Sequence, residues 1–302
     1  MGLVDMKTAN VERKMITEAG IYDLDANTYF ADPCPEPSLS ASIARKLIRQ
    51  SPMHAWHSHP RLNSNAENDF SSEAADKGTI LHKLLLGRGN DIVVVEADDW
   101  RSKAAKEARD AARAAGNIPV LKHKLDELHE CAAAARKQIM RHPDGQILFE
   151  PGKAEQTMAW LDSGIWCRSL VDWMPDDQAL PLMDLKTTGM SAAPGEWERR
   201  LVSDYALQAA FYERGARVLG RKSRAGMLFI VIECEAPYGV SVMCAAPSLR
   251  AVAEHEVDVA IQRWRECLNA DHWPGYPMHT AHVEAPAWRI NQMESEMMEV
   301  AQ

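Results

Sequence analysis

Two aspartates, a glutamate and a lysine recur across three consecutive extended stretches of this chain, spaced so that they could work together. Leu182–Thr188 reads L-M-D-L-K-T-T; its apolar start and paired threonines favour a short strand. Side chains alternate along a strand, so Asp184 and Lys186 share one face while Met183, Leu185 and Thr187 take the other. Taken alone, such a pair reads as an incidental ion pair on a half-exposed edge. The two stretches before it change that.

Ala154–Leu161 and Ile165–Met174 also have strand composition, and Asp162-Ser163-Gly164 between them is a turn signal. A second turn, Pro175-Asp176-Asp177, leads toward Asp184. A hairpin centred between Ser163 and Gly164 sets Glu155 opposite Asp172, and one centred near Gln178 sets Asp172 opposite Asp184. With strands about 4.8 Å apart, this meander predicts Glu155, Asp172, Asp184 and Lys186 on one patch. Three carboxylates that close repel one another unless a cation joins them. Oxygen ligands with room for water suit Mg²⁺ or Mn²⁺.

The rest of the chain must position that patch. Its 302 residues, 46% hydrophobic and 25% charged, suffice for a full core in a globular protein. No stretch approaches the roughly 18 apolar residues of a membrane span, and the N-terminus lacks a secretory apolar core, so a cytoplasmic protein is expected. The six cysteines are scattered without a C-x-x-C pair, which removes support for zinc-ribbon and iron–sulfur sites. A net charge of −9 argues against a generally adhesive nucleic-acid binder but leaves room for a local basic groove.

In chain order, residues 1–20 read as loosely held and Ile21–Pro37 as an irregular extended approach. A helix is predicted from Ser38-Leu39-Ser40 to about Gln50, ended by Ser51-Pro52. His54, His57 and His59 follow, as a surface loop or a metal site; Arg61–Ser72 is polar. Glu73–Gly87 has helical periodicity, with Ile80, Leu81, Leu84 and Leu85 as its apolar stripe. His82 lies beside that stripe, as a core-edge residue or a ligand. A strand over Asp91–Glu96 precedes a helix over Trp100–Ala115, whose Lys103, Lys106, Arg109 and Arg113 form either a solvated or a phosphate-contacting side. A second helix spans Leu121–Arg141. Beyond the meander come a short helix over Pro194–Val202 and, capped by Asp204, a helix from Tyr205 to about Leu219. Gln208 and Tyr212 share a face of it, with Tyr205 a turn earlier. An antiparallel pair over Ala225–Cys234 and Gly239–Ala245, a long helix from Pro247 and a frayed acidic tail over Glu294–Gln302 complete the chain. One α/β domain over residues 21–273, with a peripheral helical part and a tail over 274–302, is the economical organisation.

Together these pieces resemble the PD-(D/E)xK nuclease superfamily, and most closely the RecE-type (exonuclease VIII) recombination exonucleases of phages and prophages. The residues carrying the resemblance are G-T-I-L-H at Gly78–His82, Val171-Asp172, D-L-K-T-T at Asp184–Thr188 and Q-A-A-F-Y at Gln208–Tyr212, with S-L-S-A-S at Ser38–Ser42 and Ser51-Pro52 at its start. Two positions depart from the pattern. Leu86 stands where some relatives carry glutamate, and Val171 replaces the proline of the family's name.

The resemblance implies a mixed central sheet flanked by helices and a Mg²⁺- or Mn²⁺-dependent exonuclease. Such an enzyme degrades linear duplex DNA from 5′ ends and leaves 3′ single strands. It implies Asp172, Asp184, the Leu185 carbonyl and His82 as metal ligands and Glu155 as a second-ion or water-holding carboxylate. Lys186 would position the attacking water, while Gln208, Tyr212 and Tyr205 would contact DNA or brace the site. It also implies a ring-shaped homo-oligomer, a tetramer by preference, and a single-strand annealing protein of the RecT/Beta kind as partner. Other nucleases of this fold, structure-specific or single-strand-directed, and a non-catalytic DNA-binding protein with a relic site are the alternatives.

Overall fold

The structure, a computed structural model, describes residues 15–66 and 73–300. The expectations for residues 1–14, for 67–72 and for the last two residues of the tail lie outside them. In chain order the chain forms β1 (Gly20–Tyr22), α1 (Ala26–Phe30), β2 (Leu39–Ser40), α2 (Ala41–Arg49), α3 (Pro52–His57) and α4 (Glu73–Leu86). Then come β3 (Ile92–Val95), α5 (Lys103–Ala114), β4 (Ile118–Leu121), α6 (Lys122–Arg141), β5 (Gly152–Asp162), β6 (Ile165–Pro175) and β7 (Met183–Thr188). The last elements are α7 (Pro194–Arg200), α8 (Ala206–Val218), β8 (Leu228–Glu233), β9 (Val240–Met243), α9 (Pro247–Ala270) and α10 (Ala287–Val300).

The hairpin turns as its residues require: Ser163 and Gly164 both take positive φ, 51° and 81°, the geometry that lets a two-residue loop match strand twist. Asp162 then pairs with Ile165, and the ladder runs back to Gly152 opposite Pro175. β7 continues the meander and β8 joins it in parallel, giving the mixed order β1-β5-β6-β7-β8-β9 with β2 on β6. Both sheet faces are covered. Under α2, α8 and α9 lies one core with Trp160, Phe211, Phe229 and Trp264; under α4 and α6 lies a second with Ile80, Leu81, Ile139, Met183, Leu185 and Ile230. Met183 and Leu185 are therefore on the α4 side, leaving Asp184 and Lys186 to the α8 side as the alternation predicts. α8 lies flat against β5, since a Cβ on Gly215 would sit 2.6 Å from the Trp160 ring.

Several local expectations are corrected. Ser51-Pro52 starts a helix as well as ending one: Ser51 accepts from the His54 N–H, and Pro52 occupies the first turn of α3, where its missing N–H costs nothing. The three histidines consequently scatter, with His54 Nδ1 on Ser51 Oγ at 2.7 Å and His59 fully buried. Ile21–Pro37 contains α1, capped by Asp25. Ile16, only 2% exposed, anchors part of the stretch expected to be loose. Asp204 caps nothing: α7 runs through a π-helical turn, Leu201–Tyr205, directly into α8, and Asp204 meets Arg45 at 3.6 Å. β4 went unforeseen because Pro119 sits in it, which a two-stranded edge pairing with β3 tolerates. The tail carries α10, whose Trp288, Met293 and Met297 are exposed. Among the described residues, no helix is long and apolar enough to cross a membrane.

Candidate active site

The carboxylates meet where β6 and β7 part. Trp173 pairs with Met183, so Asp172 and Asp184 are the next opposed residues. There a side chain takes over from the backbone ladder: Asp172 Oδ2 accepts from the Leu185 N–H at 2.8 Å. Asp184 is 2% exposed, and Gln208 of α8 donates from Nε2 to its Oδ1 at 2.7 Å. Its Oδ2 lies against the Lys186 ammonium but makes no hydrogen bond of good geometry. Lys186 Nζ stands 5.0 Å over the Tyr205 ring, which stacks on Trp197 at 5.4 Å.

His82 reaches the same point from the other sheet face. Its Nε2 lies 2.9 Å from the Leu185 carbonyl, and Nδ1 is 3.6 Å from Asp172 Oδ2. A carbonyl only accepts, which assigns the proton to Nε2. Gly78, one turn earlier on α4, leaves the room this needs, because a Cβ there would sit 3.0 Å from Thr187 Oγ1 of β7.

The electrostatics are those of a site short of positive charge. Burial, then the neighbouring Asp184, push the Asp172 carboxyl up to about 6, against the pull of His82, Lys186 and the Leu185 N–H. For Lys186, burial works to lower the pKa, but Asp184 and Asp172 outweigh it and the net shift is upward. The amine is thus a charged ammonium rather than a free base. Among the described residues, no three His, Cys, Asp or Glu side chains already surround one point; protein donors instead occupy the carboxylate and carbonyl lone pairs. The donor set nevertheless fits a hard divalent cation. It comprises two opposed carboxylates, a carbonyl and an imidazole, and the buried Oδ2 of Asp184, against the Lys186 ammonium, makes no hydrogen bond of good geometry.

Of the sequence-predicted residues, Asp172, Asp184, Lys186, Leu185, His82, Gln208, Tyr205 and Tyr212 come together. Tyr212 is buried, and burial drives its phenol well above 10, keeping it neutral. Glu155 does not join them, which corrects the four-residue patch. Its register opposite Asp172 holds, since Ala154 pairs with Trp173 and Gln156 with Val171. Its backbone, however, is left-handed at φ 49°, and the carboxylate lies 3.6 Å from Arg88 Nε, near Gly89.

Asp172, Asp184 and Lys186 open onto a cavity of about 570 Å³ that Ser42, Arg45 and Lys46 line from α2. Arg168 also lines it, a residue the sequence reading passed over; its spacing of two and four from Leu170 and Asp172 was the available signal. Arg168 anchors a buried network, donating to the Ser38 carbonyl at 2.9 Å and facing Asp32 Oδ1 at 3.2 Å. His59 completes that network, 3.3 Å from Asp32 Oδ2. The network pins the chain entering α2, and with it the cavity's basic wall.

Residues 45–285 match the model of a family described as a PDDEXK-like domain of unknown function, DUF3799. Among curated proteins, none matches the chain. Among solved structures, it is similar to the crystal structure of a candidate exonuclease from Eubacterium rectale. The TM-score is 0.53 at 12% identity, over 90% of this chain and 98% of that one. At that identity the likeness speaks for the fold alone.

Proposed function

The chain belongs to the PDDEXK-like family DUF3799, and from that premise we propose that it is a Mg²⁺- or Mn²⁺-dependent exonuclease acting on the ends of linear duplex DNA. The observation that carries this reading is the opposed Asp172–Asp184 pair, with Lys186 and Gln208 on Asp184, at the floor of an open cavity. Asp172, Asp184, the Leu185 carbonyl and His82 would hold the ion. When bound, such an ion neutralises charge on the scissile phosphate and lowers the pKa of a bound water.

The chain's own groups do the rest. Lys186, held as an ammonium, is placed to orient the attacking water and to stabilise negative charge as it develops. Gln208 fixes the Asp184 carboxylate and leaves Oδ2 free of a good hydrogen bond. Lys46, whose partner is the neutral Ser58, and Arg45, which meets Asp204, line the cavity, and Lys46 supplies local positive charge for a phosphate backbone on a chain of net −9. The RecE-type motif set supports the narrower reading: cleavage from 5′ ends leaving 3′ overhangs, a ring-shaped homo-tetramer and a single-strand annealing partner.

Linear duplex labelled separately at each 5′ and 3′ end, closed circular duplex and single strands test this, each with Mg²⁺ or EDTA. The expected result is Mg²⁺-dependent loss of 5′ label from linear duplex, with circles intact and Lys186→Met inactive but still able to bind DNA. Cut circles would point to an endonuclease, and digestion of single strands alone to a single-strand enzyme. Unchanged digestion by Lys186→Met would remove the site from the chemistry.

A further inference from the structure

A second cavity, of about 240 Å³, lies between α4, α5, β4 and the start of α6 and shares no lining residue with the catalytic one. Its walls are of two kinds. Ile80, Val120, Leu121 and Leu128 form an apolar surface, with the partly buried Trp100 ring beside it. Four cations, Lys77, Arg109, Arg113 and Lys124, stand around it with the single carboxylate of Asp76. Arg113 donates to Asp76 at 2.9 Å, so that carboxylate is spoken for. The ion-pair partners of Arg109 and Lys124, the exposed Asp110 and Glu127, each at 3.0 Å, lie outside the lining. Among the described residues Lys77 has no ion-pair partner.

The lining itself thus sets four cations against one carboxylate, on a protein of net −9, with the carboxylates that meet Arg109 and Lys124 lying outside it. The Arg109 guanidinium sits 5.9 Å from the Trp100 ring centroid, so one cation and one π-face border the same space. α6 adds to the field. It is 20 residues long with no side-chain cap on its first turn, and its N–H groups lie beside Leu121 and Lys124, both lining residues. An uncapped helix N-terminus favours an anion. The apolar floor and indole favour a planar ring, since aromatic side chains stack bases whatever their identity. The volume lies just below the roughly 300–1,000 Å³ of small-molecule sites, which suits one base with its phosphate on the rim.

We propose that this cavity is a second binding site, taking a single nucleotide unit with its base against Trp100 and its phosphate among Lys77, Arg109 and Lys124. The unit could arrive as a free mononucleotide or as the end of a single strand. The proposal does not rest on the nuclease reading, because binding is measured in EDTA.

Calorimetric titration of the full chain with dAMP, deoxyadenosine, inorganic phosphate and a short oligo-dT tests it. The expected result is dAMP binding about tenfold or more tighter than either of its halves. Arg109→Gln and Lys124→Gln should each weaken it by about tenfold, the loss of one charge-assisted contact. Trp100→Leu should weaken it comparably, and Lys186→Met should leave it unchanged. Binding of the oligonucleotide without dAMP would support the site and identify a strand end as its ligand. The proposal is overturned if neither nucleotide binds, or if phosphate alone binds as tightly as dAMP. It is equally overturned if binding survives an Arg109→Gln/Lys124→Gln double variant whose circular dichroism matches wild type.

Discussion

Truncating Gln208 to alanine removes one hydrogen bond from the most buried carboxylate of the site. Gln208 Nε2 donates to Asp184 Oδ1 at 2.7 Å, and Asp184 is 2% exposed. Water cannot readily replace the lost donor, so the cost is that of an unmet charge-assisted bond, about 1.5–3 kcal/mol. At about 2.1 cal/mol/K per residue, a 302-residue chain has an unfolding entropy of roughly 0.6 kcal/mol/K, so the melting temperature should fall by about 2–5 °C. That figure applies in EDTA, where no cation supports Asp184. With Mg²⁺ the same change should weaken metal affinity by roughly 10–100-fold, the usual effect of losing a group that orients a ligand. Gln208→Glu is the sharper companion, since it sets a third carboxylate against Asp184. It should melt lower than Gln208→Ala in EDTA and recover more on adding Mg²⁺. Differential scanning calorimetry with and without Mg²⁺, with a Mn²⁺ titration, reads all of these. Melting and Mn²⁺ affinity both unchanged in Gln208→Ala would refute the idea that α8 holds Asp184 in place.

Glu155→Gln should leave Mg²⁺-dependent digestion within about twofold of wild type, because its carboxylate faces Arg88 rather than the aspartates; a large loss would restore it to the site. Asp32 should make stability sensitive to acid. Burial opposes its charged form, but His59, Arg168 and Ser38 outweigh burial and hold the carboxyl at about 2, below the ordinary 3.8. A depressed folded-state pKa gives stability that is present above pH 4 and lost as pH falls toward 2, in all about 2 kcal/mol. Denaturant titrations of wild type and Asp32→Asn should therefore converge across that window, and a constant gap would contradict this. Gly215→Ala should cost about 1–3 kcal/mol, since its Cβ would overlap the Trp160 ring at 2.6 Å; an unchanged urea midpoint would show that α8 and β5 separate easily.

Local chemistry makes the core of the site legible in the sequence alone. The Ser163-Gly164 turn fixed the register of β5 on β6, and strand alternation separated Asp184 and Lys186 from Met183 and Leu185. Glu155 escaped because pairing register does not specify a residue's own φ. A left-handed backbone at 49° turns the side chain off the face that alternation assigns. His59 and Arg168 escaped for a different reason: each is buried by partners distant in sequence, Ser38 among them, and no local pattern marks such a meeting. Ser51-Pro52 ends α2 as expected, and its second role as the start of α3 is marked only by the Ser51 cap. Of the cations around Trp100, Arg109 and Arg113 were visible on one side of a helix. Their convergence with Lys77 and Lys124 needed the packing of α4 and α6.

Everything proposed for the catalytic cavity depends on Asp172 and Asp184 jointly holding a divalent cation. Crystals grown with Mn²⁺ and measured at the manganese absorption edge test this most directly. An anomalous peak between these two carboxylates is expected, with His82 turned toward it and the peak lost in Asp184→Asn. A peak elsewhere, or none at a Mn²⁺ concentration that supports DNA digestion, would contradict it.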